Sequence, residues 1–134
     1  ALCNAAKSGV DVKIILPHIP DKKTPFFMAQ SYYPLMLSSG IKMYEYKPGF
    51  IHAKTMVSDS QCAVVGTVNF DYRSFYLHFE CGTYFEKMPA VEEVEKDFQK
   101  TLEECIEVTE DYYKGLPFIS KALGWFLRIF APLM

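Results

Sequence analysis

Seven residues near the start of the chain set the first limit on its fold. Val10-Asp-Val-Lys-Ile-Ile-Leu16 lies between Gly9 and Pro17. The run has the length of a strand, and its last three residues are all apolar. Such a strand is comfortable only where both of its faces are covered. That requires a sheet with helices packed on it. Residues 1–8 supply helical pattern on one side, closed by Ser8-Gly9, and residues 26–38 supply it on the other, disturbed by Pro34. The stretch from 17 to 25, with Pro17, Pro20 and Pro25, reads as a loop.

Further strands follow. Ile41-Lys-Met-Tyr-Glu-Tyr46 alternates, Pro48-Gly49 turns, and residues 52–58 and 61–66 form two runs joined tightly through Asp59-Ser60. Residues 67–77 read as loop and Phe79–Glu86 as another strand. Residues 90–108 form a long amphipathic helix, with Val91, Val94, Phe98, Leu102, Cys105 and Ile106 on one face. The order predicts an α/β domain, a mixed β-sheet flanked by helices in α-β-α layers. Half of the residues are apolar, enough for a core, which excludes a disordered chain.

Charge and cysteine usage narrow the function. The net charge is −2, so the basic excess that neutralises nucleic-acid phosphates is missing, and no nucleic-acid partner is expected. Cys3, Cys62, Cys81 and Cys105 show no C-x-x-C spacing, so buried reduced thiols are expected rather than a zinc site. No apolar run reaches the roughly 18 residues of a membrane-spanning helix. The chain opens in what reads as the middle of a helix, so a longer parent is expected.

The chemistry concentrates in His52-Ala-Lys54-Thr-Met-Val-Ser-Asp59 and Gly66-Thr-Val-Asn69, spaced H-x-K-x4-D-x6-G-x2-N. On a strand, His52 and Lys54 point to one face. A lysine in apolar surroundings needs a partner, and an anionic ligand is an economical one. An imidazole can attack phosphorus, Lys54 can stabilise the non-bridging oxygens, and Asn69 can donate to them. Gly66 is expected to let the backbone turn tightly ahead of Asn69. No metal and no cofactor is needed.

This spacing resembles the HKD motif of the phospholipase D superfamily. The segments Asn69-Phe-Asp-Tyr-Arg-Ser-Phe75, Leu77-His-Phe-Glu80, Gly9–Pro17 and Tyr46–His52 are similar to those of bacterial cardiolipin synthases, in their C-terminal catalytic half. The resemblance implies that His52 is nucleophile or general acid and that Lys54 and Asn69 bind phosphate. It gives Asp59 a more structural role. It makes Glu80 the carboxylate that hydrogen-bonds the motif histidine and sets its tautomer. Thr67 stands where many members have Ser, and His78 where Asn is expected.

The implied parent is a phosphatidyltransferase of the bacterial cell membrane, making cardiolipin and glycerol from two phosphatidylglycerol molecules through a phosphohistidine. Its partners are phosphatidylglycerol and other anionic phospholipids, a membrane surface, and an N-terminal HKD half, because the family site needs two motifs and this chain has one. Residues 1–115 form the catalytic-type domain. The apolar tail, 116–134, suits a helix lying in a membrane interface, or one docked on its own domain or on the other half. Another superfamily phosphodiesterase (a lipid hydrolase or nuclease) and a non-catalytic membrane-binding half remain open. Asp59 also suits a plain turn, and Asp71 is expected to pair with Arg73. Tyr32, Tyr33, Tyr44 and Tyr46 are expected to pack in the core, and His18 sits on a loop after a strand end.

Overall fold

A computed structural model describes residues 1–133. Its elements are α1 (Leu2–Lys7), β1 (Lys13–Pro17), α2 (Lys23–Gln30), α3 (Tyr33–Ser38), β2 (Lys42–Tyr46), β3 (Thr55–Ser58) and β4 (Cys62–Gly66). A π-helical turn (Arg73–Leu77) follows, then β5 (Gly82–Glu86), α4 (Pro89–Glu103), β6 (Cys105–Val108), α5 (Glu110–Gly115), α6 (Phe118–Leu127) and a closing 3-10 turn (Arg128–Leu133). The expected α/β class holds, with small sheets flanked by helices.

The strands divide between two three-stranded sheets. The first has the order β1-β2-β6 and is mixed: β1 runs parallel to β2, and β6 runs antiparallel to it. The second, β3-β4-β5, is antiparallel throughout. Helix α4 touches β2 and all three strands of the second sheet, so it ties the two together. Val91, on its inner face, is buried. In the second sheet the two-residue period puts Val57, Ala63 and Phe85 on one face and Met56, Val64 and Tyr84 on the other. Ala63 is buried, whereas Met56 and Tyr84 are exposed, so one face of this sheet is open.

The main core is built from Tyr33, Ile41, Met43 and Val108, with Ile14, Leu16 and Met36 packed against them. Glu45 lies on the same face of β2 as Met43 and is completely buried. Its carboxylate accepts hydrogen bonds from the Tyr33 hydroxyl at 2.8 Å, the Tyr112 hydroxyl at 2.8 Å and Nδ1 of His18 at 2.6 Å. Burial raises the pKa of both phenols, so they remain donors. One carboxylate therefore joins β2, α3, α5 and the loop after β1.

Several boundaries differ from the sequence reading. Residues 26–38 are not one helix: α2 begins earlier, at Lys23, and the chain bends at Ser31-Tyr32 before α3, which carries Pro34 in its first turn. That position suits a residue without an N–H. The expected helix over 90–108 stops at Glu103, and Cys105–Val108 is strand β6. Cys105 and Ile106 fit helical spacing, but a short apolar run fits both periods, and pairing with β2 decides it. Cysteines 3, 62, 81 and 105 are free, and Cys81 is exposed, contrary to the expectation of burial.

The tail docks on its own domain. Helix α6 lies on α2, and a Cβ at Gly124 would collide with the carbonyl of Phe27. The Arg128 guanidinium stacks on Tyr32, 4.2 Å from its ring centre. Phe118, Ile119, Trp125, Phe126 and Ile129 still face outward. No helix among the described residues is long and apolar enough to cross a membrane. The last residue of the tail, Met134, lies outside the described residues.

Two substitutions test this frame. Tyr33→Phe removes a donor from a buried carboxylate and should lower stability by about 1.5–3 kcal/mol in urea denaturation. Gly124→Ala should cost about 1–3 kcal/mol through overpacking on α2, although alanine is the better helix former. An unchanged midpoint in either variant would refute the contact assigned to it.

Candidate active site

Ladder pairing sets where the motif residues stand. Strand β4 ends at Gly66, whose N–H donates to the Lys54 carbonyl at 3.1 Å. The next residue, Thr67, pairs with Cys81 instead: its N–H donates to the Cys81 carbonyl at 2.9 Å. No partner is then left for residues 52 and 53, so β3 starts at Thr55. His52 and Lys54 therefore precede the strand, and the shared strand face expected for them does not form. Glu80 likewise lies just before β5.

Gly66 has a different role from the tight turn expected of it. It sits opposite Gly82 in the β4–β5 pair, and a Cβ there would run into the backbone of Cys81 and Gly82. The glycine allows two backbones to approach closely and so brings Thr67 beside Glu80. Asp59 occupies the β3–β4 turn with a φ of 53°, as does Ser60. Two successive positive φ values are the signature of the tight hairpin turns, and Asp tolerates them better than most residues. The Ser58 hydroxyl donates to the Asp59 carboxylate at 3.0 Å.

A hydrogen-bonded network surrounds Glu80. The Thr67 hydroxyl donates to its carboxylate and accepts the Cys81 N–H at 3.0 Å. The Thr67 hydroxyl, followed by that of Ser74, holds the Glu80 pKa below the ordinary glutamate value. Ser74 is buried and joins two more segments. Its hydroxyl accepts the Asn69 N–H at 3.2 Å, and its own N–H donates to the Asp71 carboxylate at 2.7 Å. Asp71 thus caps the π-helical turn, whose first N–H groups have no partner within the turn.

The expected Asp71–Arg73 pair does not form, because Asp71 is engaged by this cap. Arg73 instead donates to Nε2 of His78 at 2.5 Å, which gives the unexpected histidine a partner. Ser74, the residue that positions the Asn69 backbone, was not singled out from sequence. The signal available was Asp71 three residues before it, the spacing of a cap.

Lys54 is half-buried, and burial lowers its pKa, while the charges of Glu80 and Asp71 oppose that shift. Its ammonium donates to the His52 carbonyl at 2.6 Å. The exposed His52 ring lies 5.5 Å from the Phe50 ring, and its imidazole makes no hydrogen bond among the described residues. Glu80 engages Thr67 rather than His52. Lys54, Thr67, Asp71 and Glu80 are thus brought together around the Asn69 loop, with His52 at its edge and Asp59 at the far end of the hairpin. Among the described residues no three His, Cys, Asp or Glu side chains converge as metal ligands would.

Comparison with known proteins bears on this arrangement. The family model described as cardiolipin synthase, PLD-like domain, matches residues 1–102. All 134 residues align with an uncharacterized protein of Streptococcus mutans at 46% identity, covering 29% of that protein. They align with a cardiolipin synthase of Clostridium perfringens at 42% identity, covering 28% of it. The match to cardiolipin synthase 2 of Bacillus cereus is 37% identical over the whole chain and covers 26% of that protein. The chain therefore spans between a quarter and three tenths of these relatives.

The depressed Glu80 pKa has a measurable consequence. A carboxylate with a folded pKa below its unfolded one adds stability above the unfolded value and loses it as pH falls through the folded value. An NMR titration should place the Glu80 midpoint below the ordinary glutamate value. Thr67→Val, which removes its first donor, should move that midpoint upward. A midpoint that stays in place would refute the role given to Thr67.

Proposed function

This chain belongs to the phospholipase D-like family of cardiolipin synthases, and on that premise we propose that it is the C-terminal catalytic half of a phosphatidyltransferase. The reaction moves a phosphatidyl group between two phosphatidylglycerol molecules and yields cardiolipin and glycerol. Lys54 is the observation that carries the reading. It is a half-buried cation whose ammonium donates to the His52 carbonyl, beside the loop in which the Ser74 hydroxyl holds the Asn69 N–H, and on this reading a phosphodiester anion is its further partner.

The chemistry takes two steps. One motif imidazole attacks phosphorus, the bond from phosphorus to the glycerol oxygen breaks, and the second motif histidine gives that oxygen its proton. The second histidine then takes the proton from a hydroxyl of another phosphatidylglycerol. That oxygen attacks phosphorus and the P–N bond breaks. The bond energy is kept in the phosphohistidine, so no ATP is consumed. His52 is one of the two histidines. Lys54 and Asn69 bind the non-bridging oxygens. Glu80 reaches the site through Thr67 and orients His52 when substrate is bound, while Asp59 shapes the hairpin.

The second motif comes from the N-terminal half of the parent. The open face of β3-β4-β5 supports this, with Met56 and Tyr84 exposed and the neighbouring Phe70, Phe75, Tyr76 and Phe79 also outside. Apolar area on this scale marks an interaction surface. The outward residues of α6 support a peripheral seat on the bacterial cell membrane, where the lipid substrate resides.

His52→Ala in the full-length enzyme should lower glycerol release from phosphatidylglycerol vesicles by about 10²–10⁴-fold or more, with the melting temperature unchanged. The isolated chain should release essentially none, and mixing it with the N-terminal half should restore release. Full activity of the His52→Ala enzyme would leave this half a non-catalytic, membrane-binding role.

A further inference from the structure

The tail has two cationic side chains, and the fold uses them differently. Residues 116–134 contain no acidic residue, and Lys121 and Arg128 carry their only charged side chains. The Lys121 ammonium donates to the carbonyls of Lys114 at 3.0 Å and Tyr113 at 3.4 Å, so it closes the end of α5. No carboxylate pairs with Arg128 among the described residues. Its guanidinium rests on aromatic rings instead, 4.2 Å from the centre of Tyr32 and 5.3 Å from that of Trp125.

The docking of α6 puts it there. Gly124 faces α2 against the Phe27 carbonyl. Arg128, one turn later, lies on the same side and reaches Tyr32 at the bend between α2 and α3. Trp125 and Ile129 look outward, 63% and 71% exposed. A guanidinium stacked by its face keeps its N–H donors in the guanidinium plane, free of the rings. Those of Arg128 meet no acceptor among the described residues. No buried side-chain nitrogen there is left without a partner, so these donors are open to solvent.

Planar donors held in place by rings match a phosphate, which two parallel N–H groups can grip. The neighbours indicate where that phosphate comes from. Trp125, Phe126 and Ile129 are the kind of residues that settle into a membrane interface, and an acid-free cationic surface suits an anionic bilayer. A free phosphate would gain nothing from these apolar neighbours. We propose that Arg128, held on Tyr32 and Trp125, is a headgroup site for the phosphate of an anionic phospholipid while Trp125, Phe126 and Ile129 enter the interface. The inference rests on the peripheral membrane seat read above and adds a specific contact to it. It gives Arg128 no part in phosphatidyl transfer.

The test is cosedimentation of the chain with vesicles of phosphatidylcholine, alone or mixed with phosphatidylglycerol. Tighter binding to the mixed vesicles is expected. Arg128→Gln should lower that binding about fivefold or more, the worth of one arginine at an anionic surface. Arg128→Lys keeps the charge but loses the planar fork, so it should not restore binding. Lys100→Gln removes an equal charge from α4 and should bind as the unaltered chain does. Full binding by Arg128→Lys, or an equal loss in Lys100→Gln, would mean diffuse attraction and overturn the site. Equal binding to both vesicles would overturn the headgroup site and keep the membrane seat. Binding to neither would overturn both and leave the outward face of α6 to another protein chain. Arg128 also anchors α6 on Tyr32, so a second measurement uses the unaltered chain. Nitrogen NMR follows Arg128 Nε during titration with dihexanoylphosphatidylglycerol below its micelle concentration, and a saturable shift is expected. No shift, or equally tight saturation by inorganic phosphate, would overturn the lipid site.

Discussion

A single buried carboxylate organises the first sheet. Glu45 has no contact with water, and a lone charge in that position would be strongly unfavourable. It is tolerated because two tyrosine hydroxyls and an imidazole converge on it. Those donors come from α3, from α5 and from the loop after β1, so satisfying the charge fixes their placement around β2. The core of Tyr33, Ile41, Met43 and Val108 then packs against a frame already in register. A buried polar centre of this kind confers specificity as much as stability, because a displaced helix would leave a charge unpaired.

The second sheet uses a different device to shape the candidate site. Paired glycines, Gly66 and Gly82, let β4 and β5 approach so closely that Thr67 meets both Cys81 and Glu80. Beyond that point the chain is held by a cap rather than a ladder. Asp71 takes the Ser74 N–H, and the Ser74 hydroxyl takes the Asn69 N–H. The result is a short loop whose backbone is fixed while its outer aromatics stay exposed. In the function proposed above, this loop and the neighbouring Lys54 are the parts that hold the phosphodiester. One face of this sheet stays open, with Met56 and Tyr84 exposed, and it is the face assigned to the second half in the proposed function.

Much of this was legible in the residues. The strand ending at Pro17, the hairpin at Asp59-Ser60 and the amphipathic face of α4 are local signals, and each produced the element it pointed to, although β1 starts only at Lys13 and is half-buried rather than covered on both faces. Other features were not local. Residues 105–108 fit a helical period as well as an extended one, and only the free edge of β2 makes them a strand. His52 and Lys54 look strand-like in sequence, yet the partner strand ends at Gly66 and leaves them outside the ladder. Asp71 and Arg73 are natural partners by charge, but the unsatisfied N–H of Ser74 is the stronger claim on Asp71.

By itself the sequence determined the α/β class, the identity and spacing of the motif residues, and the turn chemistry that separates the strands. These depend on periodicity and on residue types a few positions apart. Tertiary structure alone decided which strands share a sheet, that Glu80 binds Thr67, that the tail docks on α2 through Gly124, and that His18 joins Glu45 across 27 positions of chain. The physical reason is the same in each case. A hydrogen bond or a close backbone approach between distant segments depends on which polar groups are left without partners once the core has packed, and no local pattern records that.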